Sequence, residues 1–173
     1  MGGIAGYVGN YATLSNTSVT APSITGVGGY VGGLVGSNIG GNISNSYAIG
    51  AVSSSSSFNT NGNTVDGSID VSNASGGLVG FNDGVINNSY TTGSVASGSE
   101  TYNFNGASGD INTANYLGGI VGINEGLVNS SFWDIHTTGQ INAIGSGIGT
   151  ATNLIGLTTQ YFLNEANFTS ATS

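Results

Sequence analysis

The fold turns on Gly76-Gly77-Leu78-Val79-Gly80-Phe81-Asn82, because the chain repeats it. The five-residue phrase also stands as Gly2-Gly3-Ile4-Ala5-Gly6, Gly32-Gly33-Leu34-Val35-Gly36 and Gly118-Gly119-Ile120-Val121-Gly122. In all but the first copy an Asn follows two residues on: Asn38, Asn82 and Asn124. A second phrase trails each of these: Ile43-Ser44-Asn45-Ser46-Tyr47, Ile86-Asn87-Asn88-Ser89-Tyr90 and Val128-Asn129-Ser130-Ser131-Phe132. The first copy carries Leu14-Ser15-Asn16-Thr17-Ser18 in its place. A third phrase, Gly50-Ala51-Val52 and Gly93-Ser94-Val95, diverges in the fourth copy to Gly139-Gln140-Ile141.

Short β-branched runs broken by Gly and Asn read as strands and corners, since glycine at this density is prohibitive for helices. A unit that cannot bury a face alone must stack on its copies. The expected fold is all-β: a parallel β-solenoid of about 30 residues per coil, three short strands per coil, each coil ~4.8 Å from the next. Leu34 then lies over Leu78 and Ile120, and Asn38, Asn82 and Asn124 form an amide ladder, as Asn columns do in cross-β stacks. The solenoid domain is expected to span 1–159, with coils starting near 2, 32, 76 and 118 and a cap or tail at 160–173. Trp133 is expected to pack over the end of the core as a cap.

The phrase recurs after 30 residues (Gly2 to Gly32), then 44 (Gly32 to Gly76), then 42 (Gly76 to Gly118). The surplus falls in two matching places, around Phe58-Asn59-Thr60-Asn61-Gly62 and Tyr102-Asn103-Phe104-Asn105-Gly106. Asn-Gly beside aromatics signals a hairpin turn, so two stacked hairpin-like insertions are expected at one edge. The competing reading is two coils of ~21 residues per repeat.

Composition narrows the function. The chain has 173 residues, no Lys or Arg, 8 Asp+Glu and one His, for a formal charge of -8. Nucleic acid is excluded as a partner for want of cations, as are a P-loop and anchoring to anionic lipid. No apolar run approaches the ~20 residues of a membrane span. Without Cys there is neither a disulfide framework nor a thiolate metal site. Stacking accounts for the shortage of charge: like charges ~4.8 Å apart repel by about 0.9 kcal/mol in water and roughly 3 to 4 near a protein surface. The aligned pair Asp83 and Glu125 is the exception, softened by exposure and salt. The absence of Lys and Arg also leaves trypsin-like proteases no site, and an intact mass after overnight trypsin is the expected result.

At this point the repeats resemble a known family. Gly-Gly-Leu-Val-Gly, Asn, Ile-x-Asn-Ser-Tyr and Gly-x-Val are similar to the GLUG motif, found in tandem in large secreted bacterial surface proteins. These include adhesins of the filamentous haemagglutinin type and the non-catalytic parts of immunoglobulin A-specific metalloendopeptidases. Ser131-Phe132-Trp133-Asp134-Ile135-His136-Thr137-Thr138-Gly139-Gln140, continuing to Gly156-Leu157-Thr158-Thr159, is similar to the run that closes such arrays. The resemblance implies a secreted or cell-surface location. The proteolytic members carry an HExxH zinc site elsewhere; here His136 is the single His, so that activity does not transfer.

Other chemistry weighs lightly. His136, Asp134, Ser130 and Ser131 share a segment but no nucleophile-elbow pattern. Of the acids Asp66, Asp70, Glu100, Asp110, Asp83, Glu125, Asp134 and Glu165, only Asp66 and Asp70 are close in sequence, so a glycosidase pair has little support. Asp66, Asp70 and Asn73 offer oxygen ligands for a weak calcium site, yet neither the EF-hand nor the nonapeptide pattern is present, and the expectation is no cofactor and no metal. Thr91-Thr92, Thr137-Thr138 and Thr158-Thr159 suggest an ice-binding face, interrupted by Ala48-Ile49.

The expectation is a non-catalytic structural and adhesive segment that meets a host or neighbouring-cell glycan or protein through Phe58, Asn61, Tyr102, Phe104 and Asn105, since loops on a rigid scaffold are where binding sits. The alternative is a filament subunit whose open first coil, with Met1 directly before Gly2-Gly3-Ile4, docks on the last coil of another copy.

Overall fold

The computed structural model describes residues 1–59, 69–103 and 111–164. Five turns of chain lie one upon another. The first holds β1 (Ala5–Val8), β2 (Thr13–Ser15) and β3 (Ser18–Val27), and the second β4 (Gly29–Gly32), β5 (Val35–Ser44) and β6 (Tyr47–Asn59). The third holds β7 (Ile69–Gly76), β8 (Val79–Asn87), β9 (Tyr90–Thr91) and β10 (Val95–Asn103). The fourth holds β11 (Ile111–Gly118), β12 (Val121–Asn124), β13 (Leu127–Asn129) and β14 (Phe132–Asp134). A helical turn, α1 (Ile135–Thr138), leads to a fifth turn of β15 (Ile144–Ser146), β16 (Thr150–Thr152) and β17 (Ile155–Leu157), and α2 (Thr159–Phe162) follows.

Every strand pairing among the described residues is parallel. One sheet takes β1, β2, β5, β8, β12, β13, β15 and β16; a second takes β3, β6, β9, β10, β14 and β17; a third takes β4, β7 and β11. This is a parallel β-solenoid. Each repeat is one turn: Val35 pairs directly with Val79 and Val79 with Val121, which excludes two coils per repeat.

The repeated phrase builds the core. Leu34, Leu78 and Ile120 are fully buried, and the Leu34 N–H donates to Leu78 O and the Leu78 N–H to Ile120 O, both at 2.9 Å. Fully burying a side chain of this size contributes about 1.5–3 kcal/mol. Ile43, Ile86 and Val128 stack as a second buried column, with Leu14 in register below. The glycines before them permit the close approach of turns: a Cβ at Gly33 would run into the Gly77 carbonyl, and one at Gly77 into that of Gly119.

The second phrase is a corner. Asn16, Asn45, Asn88, Ser130 and Asn153 all take positive φ, between 46° and 54°. The Ser hydroxyl that follows locks the turn twice over. Ser89 Oγ donates to Asn87 O at 2.8 Å and accepts the Ser46 N–H of the turn below at 3.2 Å; Ser131 Oγ donates to Asn129 O and accepts the Ser89 N–H in the same way. The degenerate first copy obeys the same geometry, with Asn16 at the corner and Thr17 N–H donating to Ser46 Oγ.

Among the described residues, the outgoing and returning limbs of each insertion do not pair with each other. The outgoing strand β6 pairs with β3, β9 and β10, and the returning strand β7 with β4 and β11, so the two limbs of an insertion lie in different sheets. The backbone groups of β6 and β7 are taken on both sides by the equivalent strands of neighbouring turns, and those of β10 and β11 on one side. The limbs meet through side chains instead and form a two-sheet arm. The Asn-Gly pairs at 61–62 and 105–106 lie outside the described residues.

Trp133 is not the end of the stack. The fifth turn lies beyond it, with Phe132 paired to Ile155 and Asp134 to Leu157. Its indole packs on Gly119 and Gly156, and its Nε1–H donates to Gln140 O at 2.8 Å, tying down the segment between α1 and β15.

Candidate functional site

The interior of the arm grades from apolar to polar. Near the body it is filled by Val31, Val52 and Ala74, all at least 99% buried; farther out Ser54 Oγ and Ser75 Oγ meet at 2.8 Å. Beyond them Asn73 Nδ2 donates to Ser56 Oγ and, at 3.2 Å, to Asn115 Oδ1, and Asn115 Nδ2 donates to Glu100 Oε1 at 2.7 Å. Asn73 and Asn115 are register partners, so they make a second amide ladder. The alternation of β-strands explains the arrangement: inward residues recur every second position, and those of both limbs here are hydroxyls and amides that hydrogen-bond across the arm.

Tyr102 stands at the outer end of β10, half-buried, beside Ser56 and Glu100. Partial removal from water, and then the Glu100 carboxylate, raise its phenol above the ordinary value. The backbones of Phe58 and Tyr102 are paired in adjacent turns, as are those of Asn59 and Asn103. The structure thus brings Phe58 and Tyr102 to the same end of the arm. Asn61, Phe104 and Asn105 fall outside the described residues. Asn115 and Ser56 escaped the sequence reading, and Glu100 and Asn73, weighed there as an acid and as a calcium ligand, were not placed together, because the meeting of the four requires two limbs of different sheets to face. The matching spacing of the two surplus segments was the available signal.

Several of the remaining sequence candidates hold structural positions. Asn38 Nδ2 donates to Asn82 Oδ1 and Asn82 Nδ2 to Asn124 Oδ1, each at 2.8 Å, so the expected ladder is present and buried. Asn73, the calcium candidate whose side chain is described, is turned into the arm. Asp66 is outside the described residues, as is the side chain of Asp70. Asp134 Oδ1 accepts the N–H groups of His136 and Thr137 and caps α1, while Ser130 and Ser131 serve the corner. Thr91 is buried, Thr138 is buried and donates to Asp134 O at 2.6 Å, and Thr158 precedes α2. The three Thr pairs therefore hold unlike positions and form no flat row. Asp83 and Glu125 are exposed.

On the outer face of the second sheet Tyr47 stacks on Tyr90 at 4.8 Å, and Tyr90 meets Phe162 of α2 at 5.6 Å. Burial, and then the neighbouring Tyr47, raise the Tyr90 phenol. No curated protein and no solved structure matches the chain. Residues 27–53, which run from the root of the arm through the Leu34 phrase and the Asn45 corner, match the family model of the GLUG motif. The chain therefore contains a GLUG-motif repeat region, folded as stacked turns of a β-solenoid.

Proposed function

We propose that this chain is a structural and adhesive segment of an extracellular bacterial surface protein, without catalysis of its own. The stack acts as a rigid spacer, and the arm presents the contact surface to a glycan or protein of a host or neighbouring cell. The observation that carries the reading is the arm itself: part of the six-stranded second sheet facing the three-stranded third, with the backbones of Phe58 and Tyr102 in register at its outer end. Such an arm holds aromatic groups at a fixed distance from the solenoid, which limits the entropy lost on binding. Replacing Phe58, Tyr102 and Phe104 together by Ala is expected to abolish attachment to cells and glycan arrays while leaving the β-sheet circular dichroism intact. Unchanged attachment would count against the assignment.

A second reading is end-to-end assembly of copies into a filament. What favours it is that, among the described residues, β1, β2 and β3 of the first turn, and β15, β16 and β17 of the fifth, each pair on one side only, in the same order around the coil. Open parallel edges of this kind are templates for strand addition. Negative-stain images of the purified chain distinguish the two: uniform fibres support assembly, and discrete particles support a stalk.

A further inference from the structure

A cleft of about 600 Å³ opens on the side of the solenoid between the second sheet, α1 and α2. Its floor is Ile49, Tyr90 and Thr92, and its walls are Asp134 and Thr137 on one side and Phe162 and Leu163 on the other. The volume is that of a small-molecule site, and the lining has the usual form of one, mostly apolar with a few polar groups. It lies apart from the arm tip and plays no part in the adhesive reading.

One group in this lining has an unusual position. Asp134 is 1% exposed, and its neighbours are two neutral backbone N–H groups at 2.9 and 3.1 Å. The chain has no Lys or Arg to supply a counter-charge. His136, the single His, is exposed on α1. Aromatic rings line the same cleft: Tyr90, one face of which is stacked on Tyr47, and Phe162, tilted 55° against Tyr90. Aromatic rings attract cations through the ring quadrupole, and more strongly where water is excluded. The formal charge of -8 draws cations to the surface and repels anions.

We propose that this cleft is a binding site for a small organic ammonium ion carrying an apolar or aromatic body. The ammonium sits against Asp134, and the apolar body lies among Ile49, Tyr90, Phe162 and Leu163.

The test uses the full chain and three probes of equal size: phenethylammonium, neutral 2-phenylethanol and anionic phenylacetate, each titrated by NMR. Phenethylammonium is expected to saturate, shifting Ile49, Tyr90 and Phe162, and to bind about tenfold more tightly than 2-phenylethanol, with phenylacetate weakest. Asp134→Asn keeps an N-cap of equal quality while deleting the charge. It is expected to erase the tenfold preference with the thermal midpoint nearly unchanged. Ile49→Ala, at a 39% exposed position, is expected to weaken ammonium and alcohol alike and so report on the apolar half. Equal binding of the ammonium and the alcohol to the unaltered protein, a preference that survives in Asp134→Asn, or the absence of saturable shifts at these residues would overturn the proposal.

Discussion

Ser130 shows what a single residue contributes to the stack. It holds the left-handed corner that Asn occupies in each of the other four turns, at φ 46°. Asn tolerates this region and most L-residues do not, because Cβ crowds the following carbonyl. Ser130→Asn is therefore expected to raise stability by about 0.5 kcal/mol, and Ser130→Val to lower it by about 1–2 kcal/mol, read from urea unfolding midpoints. The amide ladder gives a second contrast. Asn82→Ala leaves Asn124 Oδ1 without its donor, while Asn38 Nδ2 keeps Gly41 O at 3.2 Å; Asn38→Ala leaves Asn82 Oδ1 with the Gly84 N–H at 3.4 Å. With about 1–3 kcal/mol for a buried group left without a partner, Asn82→Ala is expected to cost that much more than Asn38→Ala. These positions were legible in the sequence, because each recurs at a fixed place in its phrase. The partners were not: that Ser89 Oγ takes the Ser46 N–H depends on the vertical register between turns.

Elements here are held by their counterparts in the neighbouring turns rather than by sequence neighbours. The glycines of the core phrase allow this, since the carbonyl of Gly119 occupies the space a Cβ of Gly77 would need. Gly77→Ala is expected to cost more than about 3 kcal/mol and to broaden the unfolding transition, because the stack must part where it is tightest. A Gly6→Ala control, with open space around its Cβ, is expected to be near neutral. The fifth turn had a faint signal in the sequence. Ala143-Ile144-Gly145 stands where Ile120-Val121-Gly122 stands below, and Thr152-Asn153-Leu154 repeats the corner, but the leading glycine pair is gone. A helical turn capped by Asp134 replaces the missing third side, so the copy was hidden by a local structure of another kind.

At the scale of the whole molecule, a chain without Lys or Arg meets its stability limit at high pH. The Tyr90 phenol is raised in the folded state, first by burial and then by Tyr47. The folded protein thus holds that proton more tightly than the unfolded chain, whose phenols ionise near pH 10. The contribution is full below about pH 10 and is lost as pH rises through the higher folded value. The thermal midpoint is expected to fall steeply above about pH 10 and less steeply in Tyr90→Phe, by calorimetry across pH 8 to 11.5. Near-identical phrases determine that the turns stack in parallel and which residue lies over which, because any other register would break the Leu34, Asn38 and Asn45 columns at once. The course of the inserted segments was decided only in three dimensions. Their backbone bonds go to the next turn, so the limbs are free to face each other and to enclose Ser54, Ser56, Asn73 and Ser75. The cleft beside α2 likewise joins residues from Ile49 to Leu163, which share no phrase, and packing alone brings them together.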